Sequence, residues 1–191
     1  MEYLNIAAIK ECTEAEGPGR RFAIWTQGCL KRCRNCCNPT MQPIEKRYIV
    51  TTSDLIKLIK DAKEIYDIEG ISLIGGEPFL QAKGLIRIAK WCQENNLSVV
   101  AFTGYELSEI EADILPEGKI LLSYIDMLID GAYDEELYDE ERTWVGSKNQ
   151  QVHFLTSRYT KGVEYEQKEK ALEVCISDKE LILNGWPFFL K

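Results

Sequence analysis

The chain has 191 residues, 45% hydrophobic and 28% charged, with a formal net charge of −8. That length predicts one domain with room for a proper core, and the acidic balance excludes non-specific nucleic-acid binding. No run of eighteen apolar residues marks a membrane span, and Met1-Glu2-Tyr3-Leu4-Asn5 lacks the layout of an export signal, so the seven cysteines are expected as reduced thiols in a cytoplasm.

In chain order, residues 4–9 alternate weakly and predict a first strand, followed by a turn-rich link over 11–19 that ends in Gly17-Pro18-Gly19. Residues 21–27 predict a second strand. It delivers the chain to Gly28 and a loop that packs Cys29, Cys33, Cys36 and Cys37 into nine residues. Asn38-Pro39 and Gln42-Pro43 close that loop. Thr51-Thr52-Ser53-Asp54 is a capped helix start, and Leu55, Leu58, Ile59 and Ala62 supply the stripe of a half-buried helix. Gly70 breaks it. Residues 71–74 form a short buried strand ending in Gly75-Gly76-Glu77-Pro78. A second helix carries Leu85, Ile88, Ala89 and Cys92 on one face and stops at Asn95-Asn96. The next strand, 97–102, ends in Thr103-Gly104-Tyr105. A short helix at about 106–113 leads to a strand at about 124–129, which ends in Asp130-Gly131.

This βα alternation predicts an α/β fold: a partial (βα) barrel of about five or six mainly parallel strands, too short for a full eight-stranded barrel. Beyond residue 141 come a polar loop, a strand near 152–156, and a C-terminal β-hairpin with strands near 171–175 and 180–183 turning at Ser177-Asp178-Lys179. The expected organisation is a single domain over 1–191, with a core at about 15–155 and an extension over 156–191. Ligands of parallel α/β folds lie at the carboxyl ends of strands, which places the cysteine loop and the glycine corners on one side.

The spacing Cys29-x3-Cys33-x2-Cys36 has three readings. A zinc site needs a fourth ligand, and the only histidine is the distant His153. An electron-transfer cluster also needs four thiolates; Cys37 is available, but neighbouring side chains of an extended loop diverge. Three thiolates on a four-iron cluster, with the fourth iron open to a substrate, is the reading the loop favours. In Gly75-Gly76-Glu77-Pro78 the glycines permit close backbone approach to a ligand, and the Glu77 carboxylate can accept from a cationic group. The alternative is a tight strand-to-helix turn opened by Pro78. Arg20, Arg21, Lys31, Arg32 and Arg34 form a run without acids that is expected to surround the cysteines as a basic patch. The acidic run over 134–141 reads as a solvated face. His153 reads as a surface or core residue, and Cys92 and Cys175 as core thiols.

Cys29-x3-Cys33-x2-Cys36 with Gly75-Gly76-Glu77-Pro78 resembles the radical S-adenosylmethionine superfamily. The runs Gly17 to Cys29, Thr103-Gly104-Tyr105-Glu106-Leu107, Ile125 to Gly131 and Gly146-Ser147-Lys148-Asn149-Gln150 are similar to the compact activating proteins of anaerobic ribonucleotide reductase and other glycyl-radical enzymes. The closing 181–187 looks like the tail of longer members. The resemblance implies a [4Fe–4S] cluster on Cys29, Cys33 and Cys36, with S-adenosylmethionine on the open iron. Reductive cleavage then yields a 5′-deoxyadenosyl radical that abstracts hydrogen from a glycine of a partner enzyme. It implies Gly75, Gly76 and Glu77 at the methionine amine, with Thr103, Gly104 and Asp130 in the same pocket. Asn149 and Gln150 are further candidates for pocket or partner contacts, and Trp144 for a slot that takes a partner's loop. The implied partners are a glycyl-radical enzyme and a flavodoxin-like or ferredoxin-like electron donor. Members often carry an aromatic residue or histidine where this chain has Cys37, and arginine where it has Gln151. Two alternatives stand beside this reading. One is a radical enzyme acting on a small molecule or peptide, with the tail hairpin helping to close the site. The other is a non-catalytic iron–sulfur protein.

Overall fold

The computed structural model describes residues 2–166, 172–176 and 181–185. Seven strands form one open sheet: β1 (Tyr3–Thr13), β2 (Arg21–Thr26), β3 (Tyr48–Thr51), β4 (Gly70–Gly75), β5 (Ser98–Phe102), β6 (Met127–Asp130) and β7 (Gln151–Phe154). Their spatial order is β3-β1-β2-β4-β5-β6-β7. β2, β4, β5 and β6 run parallel, while β1, β3 and β7 join antiparallel. The class is therefore α/β as expected, but the sheet has seven strands, is not closed, and is parallel only at its centre. β3 was not foreseen, and β1 continues to Thr13 through residues read as a link. Register shifts between Ile6 and Ala8, and again between Lys10 and Thr13, break the alternation that sequence reading relies on.

Each central strand is buried on both faces. Phe22, Ile24, Ile71, Leu73, Val99, Ala101 and Leu128 point to one side, where they meet α1 (Thr52–Tyr66) and α2 (Ala82–Glu94) in the main core. Alternate residues point to the other side. Ala23, Trp25 and Ile74 form one small cluster there, and Val100, Met127 and Ile129 pack with Val145 in another. Trp144 packs on this second cluster. Covering both faces explains why these strands read as apolar runs rather than alternating ones. α1 starts where the Thr51 hydroxyl accepts from the Asp54 amide (3.1 Å), and it stops at Asp67 in the left-handed region. α3 (Leu107–Glu111) falls within the expected short helix, and a second short helix, α4 (Gly118–Leu122), precedes β6.

The amino end of the parallel strands is built around Arg21, which is fully buried. Its guanidinium donates to Ser72 Oγ (2.7 Å), Pro18 O (2.9 Å), Ile71 O (2.6 Å), Ser98 Oγ and O (3.2 and 3.3 Å), and Tyr159 OH (2.9 Å). Arg20 pairs with Asp67 close by. The expected basic patch is thus divided. Arg20 and Arg21 sit at the end of the sheet away from the cysteines, because they begin the strand that the cysteine loop ends.

β8 (Leu172–Ile176) and β9 (Leu181–Gly185) pair antiparallel as the expected hairpin; its turn residues lie outside the described ones. Glu173 accepts from Thr13 Oγ1 and the Glu14 amide (both 2.9 Å) and pairs with Lys10 (2.8 Å), while Asn184 donates to Thr13 Oγ1 (2.8 Å). Thr13 lies opposite Arg21, so the hairpin docks at the amino end of the sheet.

Candidate cofactor site

β2, β4, β5 and β6 deliver four loops to one edge of the sheet. The first runs from Gly28 to Gln42 and is closed at its base: the Gly28 amide donates to Met41 O (2.8 Å) and the Cys29 amide to Gln42 O (2.9 Å). Gln27 Nε2 donates to Pro43 O (2.8 Å), and Gln42 Nε2 to Cys33 O (3.2 Å). Arg32 and Asn35 take positive φ, which winds the loop between its cysteines. Cys29 is buried, Cys33 and Cys36 are half-buried, and Cys37 is exposed.

The second loop, Gly75-Gly76-Glu77-Pro78, docks onto that base. The Gly76 amide donates to Thr26 O (2.8 Å) and the Glu77 amide to Gly28 O (2.9 Å). A Cβ on Gly76 would lie 2.4 Å from Gly28 O and 2.7 Å from Met41 O. The close approach this glycine permits is therefore to the cysteine loop's own backbone, a partner the sequence could not reveal.

Glu77 is fully buried. Its Oε1 accepts from Thr103 Oγ1 (2.8 Å) and the Phe79 amide (3.1 Å), and its Oε2 from the Gly104 amide (2.9 Å). Burial pushes its carboxyl up to about 7, although these three donors work in the opposite direction. Glu77, Thr103 and Gly104 are thus brought together as expected. Asp130 stands apart from them, accepting from the Leu107 amide (2.6 Å) and the Gln151 amide (3.2 Å), with His153 Nε2 2.9 Å away. It ties β6 to α3 and β7. Asn149 and Gln150 bond to the backbone just after β6: the exposed Asn149 donates from Nδ2 to Ala132 O (2.8 Å), and Gln150 from Nε2 to Gly131 O (2.9 Å).

Sequence reasoning missed the side chains that brace the cysteine loop from outside. Lys31 Nζ donates to both carboxylate oxygens of Glu109 (3.1 and 2.9 Å) and lies 4.1 Å from the centre of the Tyr105 ring. Arg34 Nε pairs with Glu135 (2.9 Å). Signals existed in the charges at 31, 34, 109 and 135, but their pairing needs the fold.

The donor set fits an iron–sulfur cluster. Three soft sulfur donors share one loop, and no imidazole or carboxylate lies among them in the sequence. Among the described residues, no three Cys, His, Asp or Glu side chains form a set that holds a single metal ion. Thiolates that each take a different iron do not need to converge on one point. Burial raises the Cys29 and Cys33 thiols. A hydrogen bond from the Cys37 thiol lowers Cys36 to about 6 and raises Cys37 itself.

An open α/β sheet that gathers a three-thiol loop and a glycine corner at its carboxyl edge defines a cofactor-dependent protein of iron–sulfur type. The family described as a 4Fe-4S single cluster domain matches residues 15–153. An anaerobic ribonucleoside-triphosphate reductase-activating protein of Vibrio cholerae is 31% identical over 147 residues, spanning 73% of this chain and 91% of its own length. The protein of the same name from Escherichia coli K12 is 30% identical over 146 residues (73% and 91%), and that of Enterobacteria phage T4 is 26% identical over 153 (78% and 93%). The chain belongs to this family of radical S-adenosylmethionine activating proteins. Its cofactors are a [4Fe–4S] cluster and S-adenosylmethionine. No helix among the described residues is long and apolar enough to cross a membrane.

Proposed function

We propose that this chain is the activase of an anaerobic ribonucleotide reductase, with a glycine of that partner as its substrate. Cys29, Cys33 and Cys36 hold the cluster, and Gly75, Gly76 and Glu77 hold the methionine end of S-adenosylmethionine, flanked by Thr103 and Gly104. When bound, the reduced cluster would supply the one electron needed to split the sulfonium into methionine and a 5′-deoxyadenosyl radical able to take a hydrogen atom from the partner's glycine. The observation that carries the reading is the junction at Gly28. Its carbonyl accepts the Glu77 amide one residue before Cys29, so the thiol loop and the glycine corner are one structure.

The chain's own residues orient and shield. Thr103 Oγ1 and the Gly104 amide hold the Glu77 carboxyl inward, which fixes the backbone of the corner. Lys31, drawn to Glu109 and Tyr105, pulls the cysteine loop toward α3. The open sheet is read as a partial barrel, whose unclosed side admits a loop of another protein. The single-domain reading has its core over 15–155 and the extension over 156–191. An acidic flavodoxin-like or ferredoxin-like donor reaches the cluster at the cysteine loop. The six free cysteines among the described residues suit a reducing cytoplasm.

Anaerobic reconstitution tests the reading. Reduced protein with S-adenosylmethionine is expected to release 5′-deoxyadenosine, and Cys33→Ala to abolish both cluster absorbance and release. Cleavage that survives in Cys33→Ala overturns the ligand assignment.

A further inference from the structure

The acidic run after β6 looked like a solvated face, yet one of its carboxylates turns inward onto the cysteine loop. Glu135 pairs with Arg34 Nε (2.9 Å) and accepts from Asn35 Nδ2. Arg34 and Asn35 are the two residues between Cys33 and Cys36. Asn35 is held at φ 49°, a left-handed conformation that needs local support. Two residues before Glu135, the Tyr133 amide lies close enough to the Cys33 thiol to favour its thiolate form.

This segment is itself firmly held. Asp134 Oδ1 accepts from the Glu136 amide (3.0 Å), opening the short helical turn Glu135–Leu137, and the Asp134 amide donates to Ser147 Oγ (3.1 Å). Gln150 Oε1 accepts from the Gly146 and Ser147 amides (2.9 and 3.1 Å) while its Nε2 holds Gly131 O. A Cβ on Gly146 would come within 2.9 Å of the Tyr133 ring. The Gly146–Gln150 loop therefore sets the position of residues 131–135, and residues 133 and 135 grip the cysteine loop.

We propose that Glu135 is a positioning residue for the iron–sulfur cluster: it clasps Arg34 and Asn35 so that Cys33 and Cys36 are presented together. The exposed Arg34 pair alone contributes little, since surface ion pairs are weak. The clasp acts because one carboxylate spans two consecutive residues between two ligands. An N–H dipole beside a ligating sulfur favours the reduced cluster, so holding the Tyr133 segment against the cysteine loop makes the cluster easier to reduce.

This inference rests on the cluster reading above, and its test separates the two. Wild type, Glu135→Ala, Glu135→Gln and Arg34→Ala are reconstituted anaerobically. Iron release to a ferrous chelator and the cluster midpoint potential are measured, together with melting of the apo-proteins. Glu135→Ala is expected to lose iron about tenfold faster, as other outer-shell partners do, and to shift the potential to more negative values. Glu135→Gln, which keeps an acceptor, is expected to recover part of both effects. The apo-protein melts are expected to be unchanged. Should Glu135→Ala fail to fold, the exposed Arg34→Ala carries the test, with release about two- to fivefold faster. Wild-type release and potential in all variants overturn this inference alone. Faster release at an unshifted potential overturns the positioning role. A wild-type protein that takes up no cluster overturns both readings.

Discussion

Gly76→Ala is expected to damage the junction between the glycine corner and the cysteine loop. Gly76 is not among the glycines at positive φ, so an alanine pays nothing for backbone conformation there and the effect is steric. The new Cβ would sit 2.4 Å from Gly28 O and 2.7 Å from Met41 O, where real Cβ atoms do not approach. Both neighbours are backbone carbonyls already accepting hydrogen bonds, Gly28 O from Glu77 and Met41 O from Gly28, so neither yields without loss. Overpacking of this kind costs about 1–3 kcal/mol, and opening two hydrogen bonds adds about 1 kcal/mol each. A loss of about 3–5 kcal/mol is a large part of a typical stability and lowers the melting temperature by about 10 °C or more. The assay is thermal melting of the apo-protein, followed by iron content after reconstitution. Gly162→Ala is the control. That glycine has φ 107° but nothing within 4 Å, so it reports backbone strain of about 1 kcal/mol without a clash. A Gly76→Ala protein that melts with wild type and takes up full iron refutes the reasoning.

Two further outcomes follow from buried polar groups. Glu77 holds its proton to about 7 in the folded chain, whereas the unfolded carboxyl gives it up near 4.5. Stability from this group is therefore complete below about 4.5 and is lost as pH rises to about 7, a change of about 3 kcal/mol. Denaturant melts of apo wild type against Glu77→Gln across that window isolate it, and parallel profiles would refute it. Arg21→Met preserves apolar volume but takes the Arg21 donor away from Ser72 Oγ, Ile71 O and Tyr159 OH. A loss of about 3–5 kcal/mol is expected with cluster uptake unchanged, and a loss below about 1 kcal/mol would show that the network contributes little.

The central strands were legible because 21–27, 71–74 and 97–102 are apolar runs bounded by glycine corners, and both faces of the sheet are covered. The edge was not. Tyr48 and Ile49 are exposed, and four residues are too few to show a period. β6 begins at Met127 rather than 124 because the Leu121 and Leu122 carbonyls still accept from the Tyr124 and Ile125 amides. Arg21 read as one charge in a basic run. The sign of its burial was Ser72 and Ser98 in strands otherwise apolar, and nothing local says that they face one another. Of the site, the three thiols, Glu77, Thr103 and Gly104 were legible from motif and strand-end position. Asp130 occupies the foreseen strand end but spends its oxygens on neighbouring elements. Lys31, Tyr133 and Glu135 act across 78 to 101 residues of chain, a distance no local pattern spans.

Gly28 couples the two halves of the site. Its amide is bound only when the cysteine loop has closed on Met41, and its carbonyl then becomes a fixed acceptor for the glycine corner. A loop still open at its base offers the corner no seat. The corner therefore takes its seat from the base of the cysteine loop, and a change that frees Met41 or Gln42 is expected to be felt as far as Glu77.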